Sequence, residues 1–147
     1  MKFSKIIILL LAVTLFLNMQ CESDDPAPLP VSNCVSFALI DGFSYENAVT
    51  SPYAINDITV NEDCLIIGVT ATACDGSTWT MQLLDSGEID ESNPPQRNVK
   101  FFLVNNEACL AEISRTTSFD LSTLQVEGED EIIINVDGYP DPIIYTY

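Results

Sequence analysis

The chain reads as an all-β domain: an antiparallel β-sandwich of the immunoglobulin-like kind with seven to eight strands, with a small β-barrel as the alternative. Three observations carry that reading. Apolar and polar residues alternate with a period of two through most of the chain after Cys34, turn residues interrupt the alternation at short intervals, and no helical period follows the N-terminal apolar run. At 147 residues the chain has room for one domain with a proper core.

The N-terminus is a separate element. Lys2 and Lys5 precede an apolar run from Ile6 to Leu17, too short to span a bilayer comfortably and suited to the apolar region of a secretory signal. Asn18, Met19 and Gln20 offer no small-residue cleavage site, and Cys21 follows them, with Glu22, Ser23, Asp24 and Asp25 directly after it. This order of charge, apolar run, cysteine and acidic run resembles the signal peptides of bacterial lipoproteins, and the acidic run resembles the surface-export signal of Bacteroidota lipoproteins. The resemblance covers about 25 residues. It implies a diacylglycerol on Cys21, a membrane as the first partner, and a place in the cell envelope on the outer membrane, exposed at the surface.

Residues 21–33 then form a tether. Pro26, Pro28 and Pro30 among acidic and small residues favour an extended spacer, and the folded domain is expected over 34–147.

Within the domain, Val35, Phe37 and Leu39 alternate with Ser36, Ala38 and Ile40 as a first strand. A turn-rich stretch follows to Pro52, and Ile58 with Val60 marks a short strand. The most regular pattern is Cys64 to Leu84. Leu65, Ile67, Val69, Ala71 and Ala73 share one parity; after Asp75 and Gly76, so do Trp79, Met81 and Leu83. The expectation is a long hairpin with Trp79 in the core.

Asp85 to Asn98 reads as a long polar connection because Gly87 and the Pro94-Pro95 pair do not suit a strand interior. Val99 to Val104 is apolar on both faces, as in a covered central strand. A return strand begins near Cys109, Phe119 to Leu124 forms an apolar corner, and Ile132, Ile134 and Val136 lead through Asp137 and Gly138 into a final strand at Ile143, Tyr145 and Tyr147. No helix is expected outside the signal.

With Cys21 assigned to lipid, Cys34, Cys64, Cys74 and Cys109 remain, and an even number in an exported chain points to disulfides with three possible connectivities. Cys64 and Cys74 end one strand, about 30 Å apart at about 3.3 Å per residue, too far to bridge. Strands alternating in direction bring Cys74 and Cys109 to the same end of the sheet. The expected pairs are therefore Cys74 with Cys109 and Cys34 with Cys64. The absence of histidine and of short paired cysteine spacing argues against a metal centre.

Composition limits the chemistry. All 22 acidic residues lie after Cys21, and Arg97, Lys100 and Arg115 are the only bases there, so the processed chain has a net charge of −19. Such a surface repels nucleic acid and anionic lipid and favours cations or basic partners. Without histidine, a Ser-His-Asp or Cys-His mechanism is excluded, and a carboxylate pair would need a cleft that a small domain with its acids in turns does not suggest. The expectation is no catalysis and no cofactor.

Three binding features remain. The acidic turns 85–91, 127–131 and 137–141 offer oxygen ligands to calcium without the spacing of a dedicated loop. Pro94, Pro95 and Arg97 suggest a stiff exposed loop over 91–98 that meets a partner or inhibits a protease. Tyr45, Tyr53 and Tyr139 lie in turns where aromatic rings meet ligands. The function expected is therefore binding or an envelope-surface structural role toward an unknown protein or glycan. The competing readings are a calcium-assisted carbohydrate-binding or adhesive module and a protease inhibitor acting through the 91–98 loop.

Overall fold

Nine strands lie in two sheets over the described residues, 32–147, of this computed structural model. In chain order they are β1 (Ser36–Phe37), β2 (Leu39–Ile40), β3 (Ala54–Asn61), β4 (Cys64–Ala73), β5 (Thr80–Asp90), β6 (Gln96–Val104), β7 (Ala111–Asp120), β8 (Glu131–Val136) and β9 (Ile143–Thr146). A short helix, α1 (Gly42–Asn47), follows β2, and a single 3-10 turn, Ser122–Leu124, follows β7. The signal and most of the tether, including Cys21, lie outside the described residues.

One sheet has the order β1-β7-β4-β3 and the other β2-β5-β6-β8-β9, and neither closes on itself. The protein is an all-β sandwich. The period-2 pattern places the core: Leu65, Ile67, Val69, Ala71 and Ala73 of β4 face Leu83, Val99, Phe101 and Leu103 of β5 and β6, with Ile132, Ile134 and Tyr145 completing it. Trp79 is buried, as its parity predicts.

Four expectations about the elements and their connectivity are corrected. The sheets are mixed, because β1 with β7, β2 with β5 and β6 with β8 pair in parallel. None of these partners is consecutive in the chain, and a crossover, unlike a hairpin, permits parallel neighbours. The expected first strand breaks at the buried Ala38, where the chain passes from the edge of one sheet to the edge of the other. Two strands result instead of one.

The Cys64–Leu84 stretch is not a hairpin. β4 pairs with β3 and β7, whereas β5 pairs with β6 and β2, so residues 74–79 carry the chain across the sandwich. Period-2 alternation identifies a strand with one buried face but not its neighbour, and two strands packed face to face show the same alternation as two strands paired edge to edge.

A helix is present where none was expected. Asp41 caps α1 through Oδ1, which accepts from the Ser44 amide at 2.9 Å, and Oδ2, which accepts from the Ser44 hydroxyl at 2.7 Å. The Ser44 hydroxyl, followed by its amide, holds the Asp41 carboxyl below its ordinary pKa. Six residues are too few to display a helical period in sequence. The helix covers the outer face of β5, where Leu84 is buried outside the main core.

Candidate functional site

The loop singled out for binding is shorter than expected, and its arginine points inward. β5 continues through Asp90, with an irregularity in its pairing to β6 between Asp85 and Ile89, and β6 begins at Gln96. Only residues 91–95 connect them. Pro94 follows a cis peptide bond and is half-buried, while Pro95 is buried and its carbonyl accepts from the Ile133 amide at 2.9 Å. Arg97 is 6% exposed, and its Nη1 lies 3.0 Å from Oδ1 of Asp85, itself fully buried. The expectation of an exposed Arg97 is thus corrected. It shares parity with Val99, Phe101 and Leu103, and its charge is tolerated there because a carboxylate is buried beside it.

Asp85 Oδ1 also accepts from the Gly87 amide at 2.8 Å, whereas Asp85 Oδ2 and Arg97 Nε are buried without a partner. Burial raises the Asp85 carboxyl above its ordinary pKa, opposed by the Gly87 amide and Arg97. This is a structural pair inside the wall of the sandwich.

Both expected disulfides are present. Cys34 bonds Cys64 with Cα atoms 5.6 Å apart, and Cys74 bonds Cys109 at 4.7 Å. Beside the second bond lies a carboxylate that the sequence reading overlooked. Glu107 Oε2 accepts from the amides of Cys74, Asp75 and Gly76 at 2.7, 3.0 and 3.1 Å, and Oε1 accepts from the Thr78 hydroxyl at 2.8 Å. The amides of Asp75 and Gly76, then the Thr78 hydroxyl and the Cys74 amide, hold its pKa down to about 2. Arg115 adds a hydrogen bond from Nη2 to the Asp75 carbonyl at 2.6 Å. The segment that joins the two sheets is thereby fixed by a covalent bond, a carboxylate and a guanidinium. Gly76 takes φ +70°, a conformation that strains any other residue, and a Cβ there would stand a tight 3.2 Å from Trp79 and Arg115.

The candidate binding site lies where two segments share one edge of β6. β8 pairs with β6 only over Gln96 to Val99. Beyond Val99 the edge is completed by residues 50–53: the Ser51 amide donates to the Leu103 carbonyl at 2.8 Å, and the Tyr53 hydroxyl donates to the Phe101 carbonyl at 2.7 Å. Between this segment and the Asp137-Gly138 turn opens a cleft of about 520 Å³, lined by Thr50 to Ile55 with Asp137 and Gly138. A second depression of about 260 Å³ shares Pro52, Tyr53 and Ala54 and is bordered by Thr70, Thr72 and Glu112.

Tyr53 therefore stands between two shallow depressions, each with a carboxylate at its border. Its ring meets the edge of Phe101 at 5.1 Å between centroids, and burial raises its hydroxyl pKa. Of the other tyrosines expected in turns, Tyr45 lies instead in α1, under Lys100, whose Nζ is 4.6 Å from the ring centroid and donates to the Tyr45 carbonyl at 2.8 Å. Tyr139 is half-buried against the core, with its amide bonded to the Val136 carbonyl. Among the described residues, no group of three or more acidic or cysteine side chains converges as a metal site.

No family model matches the chain, and no curated protein matches it. Two solved structures share the fold. One is a protein of unknown function, DUF1344, from Bacteroides vulgatus, at 15% identity and a TM-score of 0.52, covering 76% of this chain and 56% of that one. The other is described as a putative toxin-related protein from Parabacteroides distasonis, at 15% identity and a TM-score of 0.54, covering 81% of this chain and 63% of that one. This chain thus matches about three fifths of each, and at such identity the likeness is one of fold.

Proposed function

We propose that the protein is a non-catalytic, lipid-anchored binding protein of the cell envelope, held through Cys21 and displaying its sandwich outside the cytoplasm. The observation that carries this reading is the cysteine account. Of five cysteines, the four in the domain are joined in two disulfides, which leaves Cys21 with no cysteine partner in the chain. Disulfides support an oxidising compartment, and a cysteine left over shortly after an apolar run fits acylation. Labelling with a palmitate analogue in wild type and Cys21→Ala tests the anchor. Label lost in the variant is expected; equal label in both sinks the proposal.

A specific observation favours carbohydrate as a ligand. The Tyr53 cleft combines an aromatic side chain with Asp137, and across its ridge with Glu112 and the threonines of β4, groups suited to a neutral polyol. Asp137 Oδ2 lies 3.8 Å from Lys100 Nζ in a loose, exposed pair, so Asp137→Asn should abolish binding on a panel of neutral oligosaccharides with only a small change in melting temperature. A panel on which wild type binds nothing counts against this second reading while leaving the anchor untouched.

A further inference from the structure

Large apolar side chains are exposed along one edge of the five-stranded sheet, on both of its faces, since Leu39 stands beside Leu84 and Ile40 beside Asp85. Leu39, Ile40, Phe43 and Ile89 are 41%, 52%, 79% and 43% exposed. Their common place follows from the backbone. β2 lies beside β5 at Leu84 and Asp85, the Asp41 amide donates to the Asp85 carbonyl at 3.2 Å, and Gly42 is pressed so close to Ser86 that a Cβ there would stand 2.6 Å from the Ser86 carbonyl oxygen. Ile40 lies against Gly87, where a Cβ would be 3.8 Å from its Cγ2. Residues 39–43 are thus laid along β5 from Leu84 to Gly87, with Ile89 next in line. Since β2 pairs over only two residues, β5 beyond Asp85 is left without a strand neighbour on that side among the described residues.

The exposed charged residues of the surroundings carry one sign. Asp41, Glu46, Glu88, Asp90 and Glu91 are all exposed around the patch. Of the three bases of the domain, Arg97 is held by Asp85 in the core and Arg115 by the Asp75 carbonyl, and Lys100, the one base beside α1, is engaged by the Tyr45 carbonyl. An open strand edge bordered by exposed apolar side chains marks an interaction surface, and the rim selects what can meet it. A second copy docking by this edge would set carboxylates against carboxylates. An anionic bilayer would do the same.

We propose that the Leu39–Phe43 and Ile89 edge is the docking surface for a protein partner with an apolar centre ringed by lysine or arginine. It rests on the reading of the chain as a binding protein but not on the lipid at Cys21, so loss of palmitate labelling and loss of docking are separate results. The partner's apolar side chains cover Phe43 and Ile89, and its cations meet Asp41, Glu88 and Asp90.

The test uses the full chain and a synthetic amphipathic helical peptide of leucine and lysine, measured by fluorescence anisotropy. Phe43→Ser/Ile89→Ser should raise the dissociation constant about tenfold, with the melting temperature unchanged. Ile144→Ser, which alters an exposed apolar residue on β9 at the opposite edge of the same sheet, should leave the constant unchanged. Replacing the peptide's lysines with glutamine should weaken binding to wild type. Equal affinity for wild type and the double variant, or no binding at all, overturns the proposal. So does concentration-dependent dimerisation abolished by the double variant, or binding to phosphatidylglycerol vesicles through the same residues.

Discussion

Arg97 Nη1 and Asp85 Oδ1 lie 3.0 Å apart in a wall of the sandwich, 7% and 0% exposed at their side chains, and each also presents a buried polar atom that has no partner. Removing one member strands the other charge. Arg97→Ala should lower unfolding free energy by about 3–5 kcal/mol, whereas Asp85→Leu with Arg97→Met should restore stability to wild type or above. Urea titration of the single and double variants measures both. A mild effect of Arg97→Ala would mean that the pair is solvated.

The Glu107 carboxyl, held down to about 2 by amides of the sheet-to-sheet crossing, links stability to acidity. Because its folded pKa lies below the unfolded value of 4.5, its contribution is present above that value and is lost as pH falls toward 2. Asp85 acts in the opposite sense, since burial raises its pKa and its contribution fades as pH rises. The difference between wild type and Glu107→Gln therefore isolates the Glu107 effect. Melting curves from pH 6 to pH 2 should converge at the acid end; a constant gap would remove the linkage.

Cys74 and Cys109 close a loop with a sequence separation of 35. Cys74→Ser/Cys109→Ser should cost up to about 4 kcal/mol by the chain-entropy account. The Glu107 and Arg115 hydrogen bonds to the same segment remain, so the variant should still fold cooperatively. Guanidinium denaturation with near-ultraviolet circular dichroism of Trp79 follows both quantities.

Gly42 is demanded by proximity, since a Cβ there would meet the backbone oxygen of Ser86 at 2.6 Å. Gly42→Ala should displace α1 from β5 and destabilise the fold by about 1–3 kcal/mol. Hydrogen exchange should rise at Tyr45 and Ala48, whose amides hold the helix. Protection equal to wild type would show that the neighbouring strand gives way instead.

Much of the architecture was legible in the residues because burial alternates with strand parity. Leu65 to Ala73, Val99 to Leu103 and Ile132 to Val136 are buried where the alternation places them, and strand direction pairs Cys74 with Cys109, which leaves Cys34 for Cys64. Pairing was less legible. The Asp75-Gly76 signal marks a turn but does not say whether the next strand returns beside β4 or across the core from it. Arg97 was assigned to a loop by the polarity of its neighbours, although its parity with Val99, Phe101 and Leu103 already placed it inside.

The candidate site was legible only in part. Tyr53 and the acidic turn containing Asp137 could be named, but their meeting depends on residues 50–53 completing the β6 edge that β8 leaves at Val99. No local pattern encodes that contact. Glu107 was hidden for a related reason, since most of its partners are backbone amides, which leave no trace in residue type.

The bond from Cys34 to Cys64 also sets the path of mechanical load. Tension applied from the N-terminal side of the domain reaches Cys34 first and passes through the sulfurs into the start of β4, flanked on both sides by β3 and β7. Everything from Ser36 to Asn61, including the two-residue β1 and β2, lies within the covalent loop and is bypassed. A domain tethered at its N-terminus can thus keep weakly paired edge elements without their peeling away under shear, because the pull is delivered to a ten-residue strand held on both edges.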